Sequence, residues 1–388
     1  MKKIAVLGST GSVGTQTLAV AESAGIKISA LCAGTKIKEL EAQIRKFHPS
    51  LCAVMDEERA RDLRIAVADT GTRVLSGIEG ICDAVSESGA ELVVNAIVGN
   101  AGIKPMLRAI EAKKDIAAAN KESIVSAGDY IIEKAKENGV KIIPVDSEHS
   151  AIFQCMSGGF NDRRFAKRLI ITASGGPFYG KKRSELVDVT PEQAVNHPTW
   201  IMGRKISVDS ATLMNKALEL IEASRLFAMP HEKIDVTIHR QSTVHSFVEF
   251  TDNSILCQMG YPDMAQCIRF ALFYPERTED SGLCRPIDFT KPMTLTFEPP
   301  DEETFSFVKL ARRALEKGGA ACAVMSAADE EAVKLFLGKR IKFTDIFSLV
   351  ETVFNKLSDL PLNTIEELTT AEDAARAEAA ALAGIRIY

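Results

Sequence analysis

The sequence predicts an α/β chain in three parts: an N-terminal doubly wound parallel sheet, an α+β middle and a helical C-terminal part. Three observations predict it. Short β-branched runs alternate with helical stretches from residue 1 to about 145, a hairpin pattern replaces that alternation after about 150, and only helical patterns remain beyond 301. At 388 residues the chain also exceeds the roughly 250–300 at which a single core stops growing, so more than one domain is expected.

In the first part, Ile4 to Leu7, Ile28 to Leu31, Leu51 to Val54, Leu92 to Ile97, Asp115 to Ala118 and Lys141 to Val145 read as strands, with Thr15 to Ala24 the first helix. In the middle, Leu169 to Ala173 reads as a strand, His197 to Gly203 as a Pro/Gly/Trp loop and Ser210 to Phe227 as one long helix. Val244 to Phe250 and Ile255 to Met259 flank the turn Asp252-Asn253-Ser254 and read as a hairpin. Pro275, Pro286, Pro292, Pro299 and Pro300 discourage helix, so that stretch reads as a linker. The remainder should hold three or four helices, the last opened by a capping-box pattern of Thr369 with Glu372. The expected domains are therefore 1–147 and 148–274, a linker 275–300, and 301–388.

Charge and composition exclude several partners. With 47 basic and 52 acidic residues the net charge is -5, which gives no footprint for nucleic acid or an anionic membrane. The start, Met-Lys-Lys followed at once by a strand, lacks a signal peptide's apolar region, and no apolar run reaches the ~18 residues needed to span a bilayer. A soluble, cytoplasmic protein is expected. Cys32, Cys52, Cys82, Cys155, Cys257, Cys267, Cys284 and Cys322 are scattered without a CxxC pair or zinc-ligand spacing, so buried reduced thiols are expected.

Strand Ile4 to Leu7 runs into Gly8-Ser9-Thr10-Gly11-Ser12-Val13-Gly14 and then a helix. Glycines there permit a tight turn and close backbone approach to a pyrophosphate, while the helix N-terminus offers unpaired N–H groups. The spacing is GxxGxxG; a purely structural turn is the bland alternative. After Leu31 no acid follows to accept a ribose 2′-hydroxyl; Cys32-Ala33-Gly34-Thr35-Lys36 instead supplies donors and one cation, which suits the 2′-phosphate of NADPH better than NADH.

Further polar clusters point to a metal and a phosphate. Asp146 and Glu148, two residues apart at a strand end, can present two carboxylates to one point, and a divalent ion with oxygen ligands, magnesium or manganese, would relieve their repulsion. Ordinary exposed acids are the alternative. Asn215, Lys216 and Glu219 share a helix face at i,i+3 and i,i+4 spacing, with Ser210 expected as the N-cap of that helix, where phosphates bind. Ser174 ends a strand at Ser174-Gly175-Gly176-Pro177 and can donate to a phosphate oxygen or satisfy its own turn. His197-Pro198-Thr199-Trp200 carries the only tryptophan in a Pro/Gly-bounded loop, the pattern of a closing lid or of a tethered structural loop.

Taken in order, Gly8 to Gly14, Ala119-Asn120-Lys121-Glu122-Ser123, Pro144-Val145-Asp146-Ser147-Glu148-His149-Ser150, Ala173 to Phe178, His197 to Gly203, Ser210 to Glu219 and Val244-His245-Ser246 resemble the 1-deoxy-D-xylulose 5-phosphate reductoisomerase family, nearly end to end. The resemblance implies a Rossmann-like N-terminal domain, an α+β catalytic domain with an active-site lid and a C-terminal helical domain, in a homodimer. It implies NADPH- and metal-dependent rearrangement and reduction of a sugar phosphate on the non-mevalonate isoprenoid route. Carried over by residue, Asp146, Glu148 and Glu219 would hold Mg2+ or Mn2+. Ser174, Ser210, Asn215 and Lys216 would form the phosphate pocket, with His197 on the lid and Lys121 and Ser147 as further substrate contacts. Lys121, Glu148 and His197 would be catalytic. Thr10, Gly11, Ser12, Val13, Gly34, Thr35, Lys36, Asn120, Glu122 and Gly203 would contact the nicotinamide cofactor. The pair Thr35-Lys36 departs from the basic or amide pair common in the family, which leaves open which of the two meets the 2′-phosphate. A simple NADP-dependent or semialdehyde dehydrogenase and a non-catalytic nucleotide sensor are the rival readings; neither needs a divalent metal together with a pentulose phosphate.

Overall fold

The computed structural model describes residues 2–157, 163–200, 202–280 and 282–385; Ile201 of the loop and residues 386–388 of the helical part lie outside the described residues. The chain forms two compact units, one of Met1–Ser123, Asp129–Phe153 and Asp263–Pro286, the other of Ile124–Gly128, Gln154–Pro262 and Ile287–Tyr388.

The first unit is built on β1 (Lys3–Leu7), β2 (Lys27–Ala33), β3 (Leu51–Val54), β4 (Arg73–Ser76), β5 (Leu92–Asn95), β6 (Asp115–Ala118) and β7 (Ile142–Pro144). They form one sheet in the order β4-β3-β2-β1-β5-β6-β7, and every pair is parallel. Strands covered on both faces read as continuous apolar runs, which is why Ile4, Ala5, Val6 and Leu7 are all fully buried. The chain walks outward from β1 to β4 and then crosses to β5 on the far side of β1, so a crevice opens beyond the carboxyl ends of β1 and β5. The Gly8 to Gly14 turn sits at that place. β4 was not foreseen, because Arg73–Ser76 carries too short an apolar run to stand out.

The helix Met264–Phe273 also belongs to this unit. Its Ala265, Ile268, Phe270, Ala271 and Leu272 enter the same core as Ile4, Val6 and Leu31, and Phe153 meets Phe270 and Tyr274 edge-on at 6.1 and 5.1 Å. The expected boundary at 274 therefore does not coincide with the change of core. Periodicity marks an apolar face but not the core that receives it.

In the second unit β8 (Ala166–Ala173), β9 (Ile234–Ile238), β10 (Val244–Phe250) and β11 (Ile255–Met259) form a mixed sheet in the order β11-β10-β8-β9. β10 and β11 make the expected hairpin; Asp252 accepts the Ser254 N–H at 2.9 Å and Asn253 takes φ 66° at the turn. β9 was not foreseen, although Ile234, Val236 and Ile238 alternate as a strand should. Four helices follow among the described residues, Phe307–Lys317, Ala321–Leu337, Phe343–Leu357 and Ile365–Ile385. Their Phe307, Phe336, Phe343 and Phe354 share one core with Phe178, Val208, Met214 and Leu218, so the proline-bearing stretch does not separate two cores.

Three local expectations are corrected. Ser210 is no N-cap: one helix spans Arg204–Thr212, Leu213 turns left-handed at φ 60°, and a second helix spans Met214–Phe227. The apolar period runs unbroken through Leu213, so the break is silent in the pattern. Asp146 and Glu148 are not two extended residues; β7 ends at Pro144 and the helix Ser147–Cys155 begins at once. Thr369 lies inside the last helix, its hydroxyl donating to the Ile365 carbonyl, and the cap is Thr364, which accepts the Glu367 N–H at 3.1 Å. Among the described residues no helix is long and apolar enough to cross a membrane.

The glycine turn permits a test. A Cβ on helical Gly14 would lie 2.2 Å from the Gly8 carbonyl oxygen, whereas one on Gly25, which takes φ 64°, would meet nothing within 4 Å. Gly14→Ala should lower stability by roughly 2–4 kcal/mol and Gly25→Ala by about 1 kcal/mol in urea denaturation. Equal losses would remove close backbone approach as the reason for glycine at 14.

Candidate active site

In the first unit the glycine turn is fastened from below. The N–H groups of Gly8 and Ser9 both donate to the Cys32 carbonyl, at 2.9 and 2.8 Å. Gln43 closes it from the side: Ser9 Oγ donates to Gln43 Oε1 at 2.7 Å, and Gln43 Nε2 donates to the Ser9 carbonyl at 2.9 Å. Thr10 and Gly11 lie in the turn, and Ser12 and Val13 open the helix Ser12–Ser23, which no side chain caps. An uncapped N-terminus behind a glycine turn leaves N–H groups that can receive an anion. Gly34, Thr35 and Lys36 are exposed directly after β2, with Lys36 preceding the helix Ile37–Phe47.

Asn120 and Lys121 follow β6. The Asn120 amide is fully engaged with its own backbone surroundings: Oδ1 accepts the Ser123 N–H at 2.7 Å, while Nδ2 donates to the carbonyls of Gly99, at 2.7 Å, and Ile97. Its side chain thus braces the β5 and β6 loops against each other. Glu122 is half-buried in the first helical turn. Lys121 Nζ lies 2.5 Å from Asp146 Oδ2, and both side chains are largely buried. Asp146 directly precedes the helix Ser147–Cys155 and its carbonyl accepts the Ser150 N–H at 2.8 Å. Burial opposes ionisation of Asp146, but Lys121, helped by His149 at 3.9 Å, overcomes it and holds the carboxyl well below its usual range. Carboxylate oxygens of Asp146 and Glu148 lie within 4.8 Å of each other, and Ser147 Oγ donates to Glu148. The helical turn, rather than the expected extended pair, brings these two acids together.

The second unit carries the other polar cluster. Glu219 is 1% exposed, with Lys216 Nζ 2.6 Å from Oε2 and Asn215 Nδ2 2.5 Å from Oε1. The spacing argument for these three residues holds. Ser174 ends β8 in a turn whose Gly175 and Gly176 take φ 79° and 66°, and a Cβ on Gly176 would sit 2.5 Å from the Ser210 carbonyl oxygen. Ser210 is thereby brought to the turn by its backbone, from the last turn of Arg204–Thr212, and Gly203 precedes that helix.

His197 binds the loop to this turn. Its Nδ1 accepts the N–H groups of Thr199 and Trp200, at 3.1 and 2.9 Å, and its Nε2 lies 2.9 Å from Ser174 Oγ. An accepting Nδ1 puts the proton on Nε2, which therefore donates to Ser174. Ser174 Oγ also accepts the Gly176 N–H at 3.2 Å. Its own hydroxyl proton remains available, and no acceptor for it is present among the described residues. Trp200 faces His245 at 6.3 Å between ring centres.

Three family descriptions match the chain: 1-deoxy-D-xylulose 5-phosphate reductoisomerase over residues 4–128, its C-terminal domain over 142–227, and a DXP reductoisomerase C-terminal domain over 259–378. The reductoisomerase of Lachnospira eligens is 45% identical over 96% of this chain and 97% of its own length, and that of Acetivibrio thermocellus is 48% identical over 95% and 96%. The chain belongs to the 1-deoxy-D-xylulose 5-phosphate reductoisomerase family. Among solved relatives, a DOX-P reductoisomerase in complex with NADPH, fosmidomycin and magnesium superposes with TM-score 0.93 at 38% identity, each chain covered to 99%. The Zymomonas mobilis enzyme in complex with NADPH superposes with TM-score 0.90 at 41% identity, covering 98% of this chain and 99% of its own.

Two residues that hold the glycine turns carry no signal in the sequence. Gln43 on the helix Ile37–Phe47 and Arg240 after β9 contact the two glycine turns through side chains, and nothing in their spacing distinguishes them from surface residues.

The electrostatics of His197 are testable. Burial, then the charges of Arg240 and Lys216, lower its pKa from 6.5 to about 4. The unfolded chain binds more protons between those values, so this group withdraws stability as pH falls from 6.5 towards 4. In urea denaturation across that window the loss should be shallower in His197→Gln than in wild type. An unchanged slope would exclude His197 as its source.

Proposed function

We propose that this chain carries out NADPH- and divalent-metal-dependent rearrangement and reduction of 1-deoxy-D-xylulose 5-phosphate to 2-C-methyl-D-erythritol 4-phosphate, in the non-mevalonate route to isoprenoids, as a cytoplasmic homodimer. The observation that carries this reading is near full-length similarity to reductoisomerases crystallised with NADPH and magnesium, in a chain that keeps the matching polar residues. In our reading Asp146, Glu148 and Glu219 hold the ion. All three offer hard oxygen donors, which favour magnesium or manganese over zinc. The chemistry of the residues fits: the Asp146 carboxyl is held well below its usual range despite its burial, and its oxygens and those of Glu148 lie within 4.8 Å of each other, where a cation would relieve their repulsion. NADPH fits the glycine turn, whose close backbone packing leaves the uncapped N-terminus of Ser12–Ser23 for the pyrophosphate. Thr10, Gly11, Ser12, Val13, Gly34, Thr35, Lys36, Asn120, Glu122 and Gly203 are proposed as its contacts.

When bound, these groups supply Lewis acidity to the substrate's carbonyl and hydroxyl oxygens and a hydride to the rearranged aldehyde. The chain supplies binding, orientation and proton placement. Ser174 offers its free hydroxyl proton to a phosphate oxygen, with Ser210, Asn215 and Lys216 as partners in that pocket. His197, neutral at ordinary pH, keeps Ser174 in a donating orientation and ties Thr199 and Trp200 of the lid to it. Lys121 and Ser147 are assigned to the substrate's remaining oxygens, where a buried ammonium stabilises developing negative charge.

A thioester-forming semialdehyde dehydrogenase is disfavoured by the thiols. Burial pushes Cys52, Cys155 and Cys267 up to about 12, and Cys257, the one exposed cysteine, is also raised by partial burial. None is an activated nucleophile.

NADPH oxidation should require both the pentulose phosphate and magnesium or manganese. Glu219→Gln and Asp146→Asn should fold, bind NADPH and lose activity by orders of magnitude, with partial recovery at high manganese. Wild-type activity and metal affinity in either variant would remove that residue from the ligand set. Lys36 and Thr35 gain a charged partner only in the phosphorylated cofactor, so NADPH should support turnover far better than NADH. Equal kcat/KM with the two would refute that assignment.

A further inference from the structure

The loop after β9 places an arginine against the turn that carries Ser174. Arg240 Nη1 donates to two carbonyls at once, Ser174 O at 2.6 Å and Gly176 O at 3.0 Å. Carbonyls two residues apart converge on one nitrogen only if the turn between them is curled, and Gly175 and Gly176 take the left-handed φ values that allow it. A trans peptide points its N–H opposite to its C=O. With the Ser174 carbonyl turned onto Arg240, the Gly175 N–H therefore points away from the guanidinium. The same curl carries the Gly176 N–H to Ser174 Oγ and so fixes the rotamer of that hydroxyl.

The arginine is itself braced. Its guanidinium lies 4.7 Å from the centre of the Tyr179 ring, and Tyr179 donates to Glu298 Oε2 at 2.5 Å. Glu298 exchanges two backbone hydrogen bonds with Ile238, at 2.7 and 3.0 Å, two residues before Arg240. His239 between them is fixed too: Nε2 accepts the N–H groups of Thr243 and Val244, and Nδ1 donates to the Thr296 carbonyl at 2.9 Å. These contacts close a loop around the guanidinium. The arrangement needs a planar cation that presents an edge to carbonyls and a face to a ring, which lysine does not provide.

We propose that Arg240 is a positioning residue for the substrate phosphate: by gripping the Ser174 and Gly176 carbonyls it sets the turn whose Ser174 hydroxyl and Gly175 N–H receive the phosphate. This rests on the assignment of Ser174 to the phosphate pocket made above. Arg240 does not touch the phosphate in this scheme; it acts through the turn. Its charge adds a second effect, since Arg240 and Lys216 are cations that disfavour protonation of His197 and so keep its Nδ1 an acceptor for the Thr199 and Trp200 N–H groups.

The test uses the full-length enzyme with Arg240→Met, Arg240→Gln and Arg240→Lys. Four quantities are measured: KM for the pentulose phosphate, KM for NADPH, binding of inorganic phosphate by calorimetry, and the His197 titration midpoint by NMR. Arg240→Met and Arg240→Gln should raise the substrate KM tenfold or more and weaken phosphate binding similarly, with the NADPH KM within twofold of wild type. Their His197 midpoint should move up towards 6.5. Arg240→Lys should keep the low midpoint, because charge is retained, yet still raise the substrate KM, because the two-carbonyl grip is lost. Millimolar guanidinium should partly restore Arg240→Met. Wild-type substrate KM and phosphate affinity in folded Arg240→Met or Arg240→Gln overturn the proposal while leaving the reaction intact. Unfolding of both, or equal loss towards NADPH and substrate, also overturns it by making Arg240 a general structural residue. Weakened phosphate binding in the variants of a wild-type protein that fails to turn over the pentulose phosphate supports Arg240 and refutes the reaction instead.

Discussion

Among the described residues, backbone meets backbone at three places more closely than a Cβ permits, and both candidate binding turns are built on that contact. A Cβ on Gly8 would lie 2.3 Å from the Ala96 carbonyl oxygen, one on Gly14 2.2 Å from that of Gly8, and one on Gly176 2.5 Å from that of Ser210. No rotamer relieves such overlaps, because the obstructing atoms are main chain. Glycine at these positions lets a strand end curl beneath a helix or against a helix end, and the turn then offers N–H groups and hydroxyls in place of side-chain bulk. The carbonyls that the curl displaces need donors. In the first unit Gln43 holds the Ser9 carbonyl, and in the second Arg240 holds those of Ser174 and Gly176.

Buried charge is the second constraint, and it is met in pairs. Asp146 faces Lys121 and Glu219 faces Lys216, each pair at about hydrogen-bond length and largely out of water. Burying a carboxylate costs several kcal/mol unless a cation or donors accompany it. Such pairs are weak evidence of stability, and a buried charge partnered in this way marks a candidate functional site. Lys205 shows a structural use of the same device: its ammonium bridges the buried acids Asp209 and Asp329 at 2.6 and 2.9 Å, joining the helix Arg204–Thr212 to Ala321–Leu337.

Much of the layout was legible from residue pattern. Leu51–Val54, Asp115–Ala118 and the hairpin strands appear at the expected residues, because period and turn chemistry are local properties. The i,i+3 and i,i+4 set of Lys216, Asn215 and Glu219 was equally legible, since helix geometry fixes those neighbours. Ser210 and the Asp146 to Glu148 segment were read in the wrong local conformation. A left-handed Leu213 leaves no mark on an apolar period, and a strand passing into a helix within two residues after Pro144 looks extended until the helix is seen.

By itself the sequence determined most element types, the glycine turns, the shared helix face of Asn215, Lys216 and Glu219 and, through ordered blocks of residues, the family. These are properties of neighbours along the chain, where φ preference, hydrophobic period and motif spacing act over a few residues. Tertiary structure alone decided which core receives Met264–Phe273, that the middle and C-terminal helices share one core, which ring nitrogen of His197 carries the proton, and that Arg240 and Gln43 hold the two turns. Those facts depend on hydrogen bonds and packing between residues such as Arg240 and Ser174, 66 positions apart, whose meeting no local rule encodes.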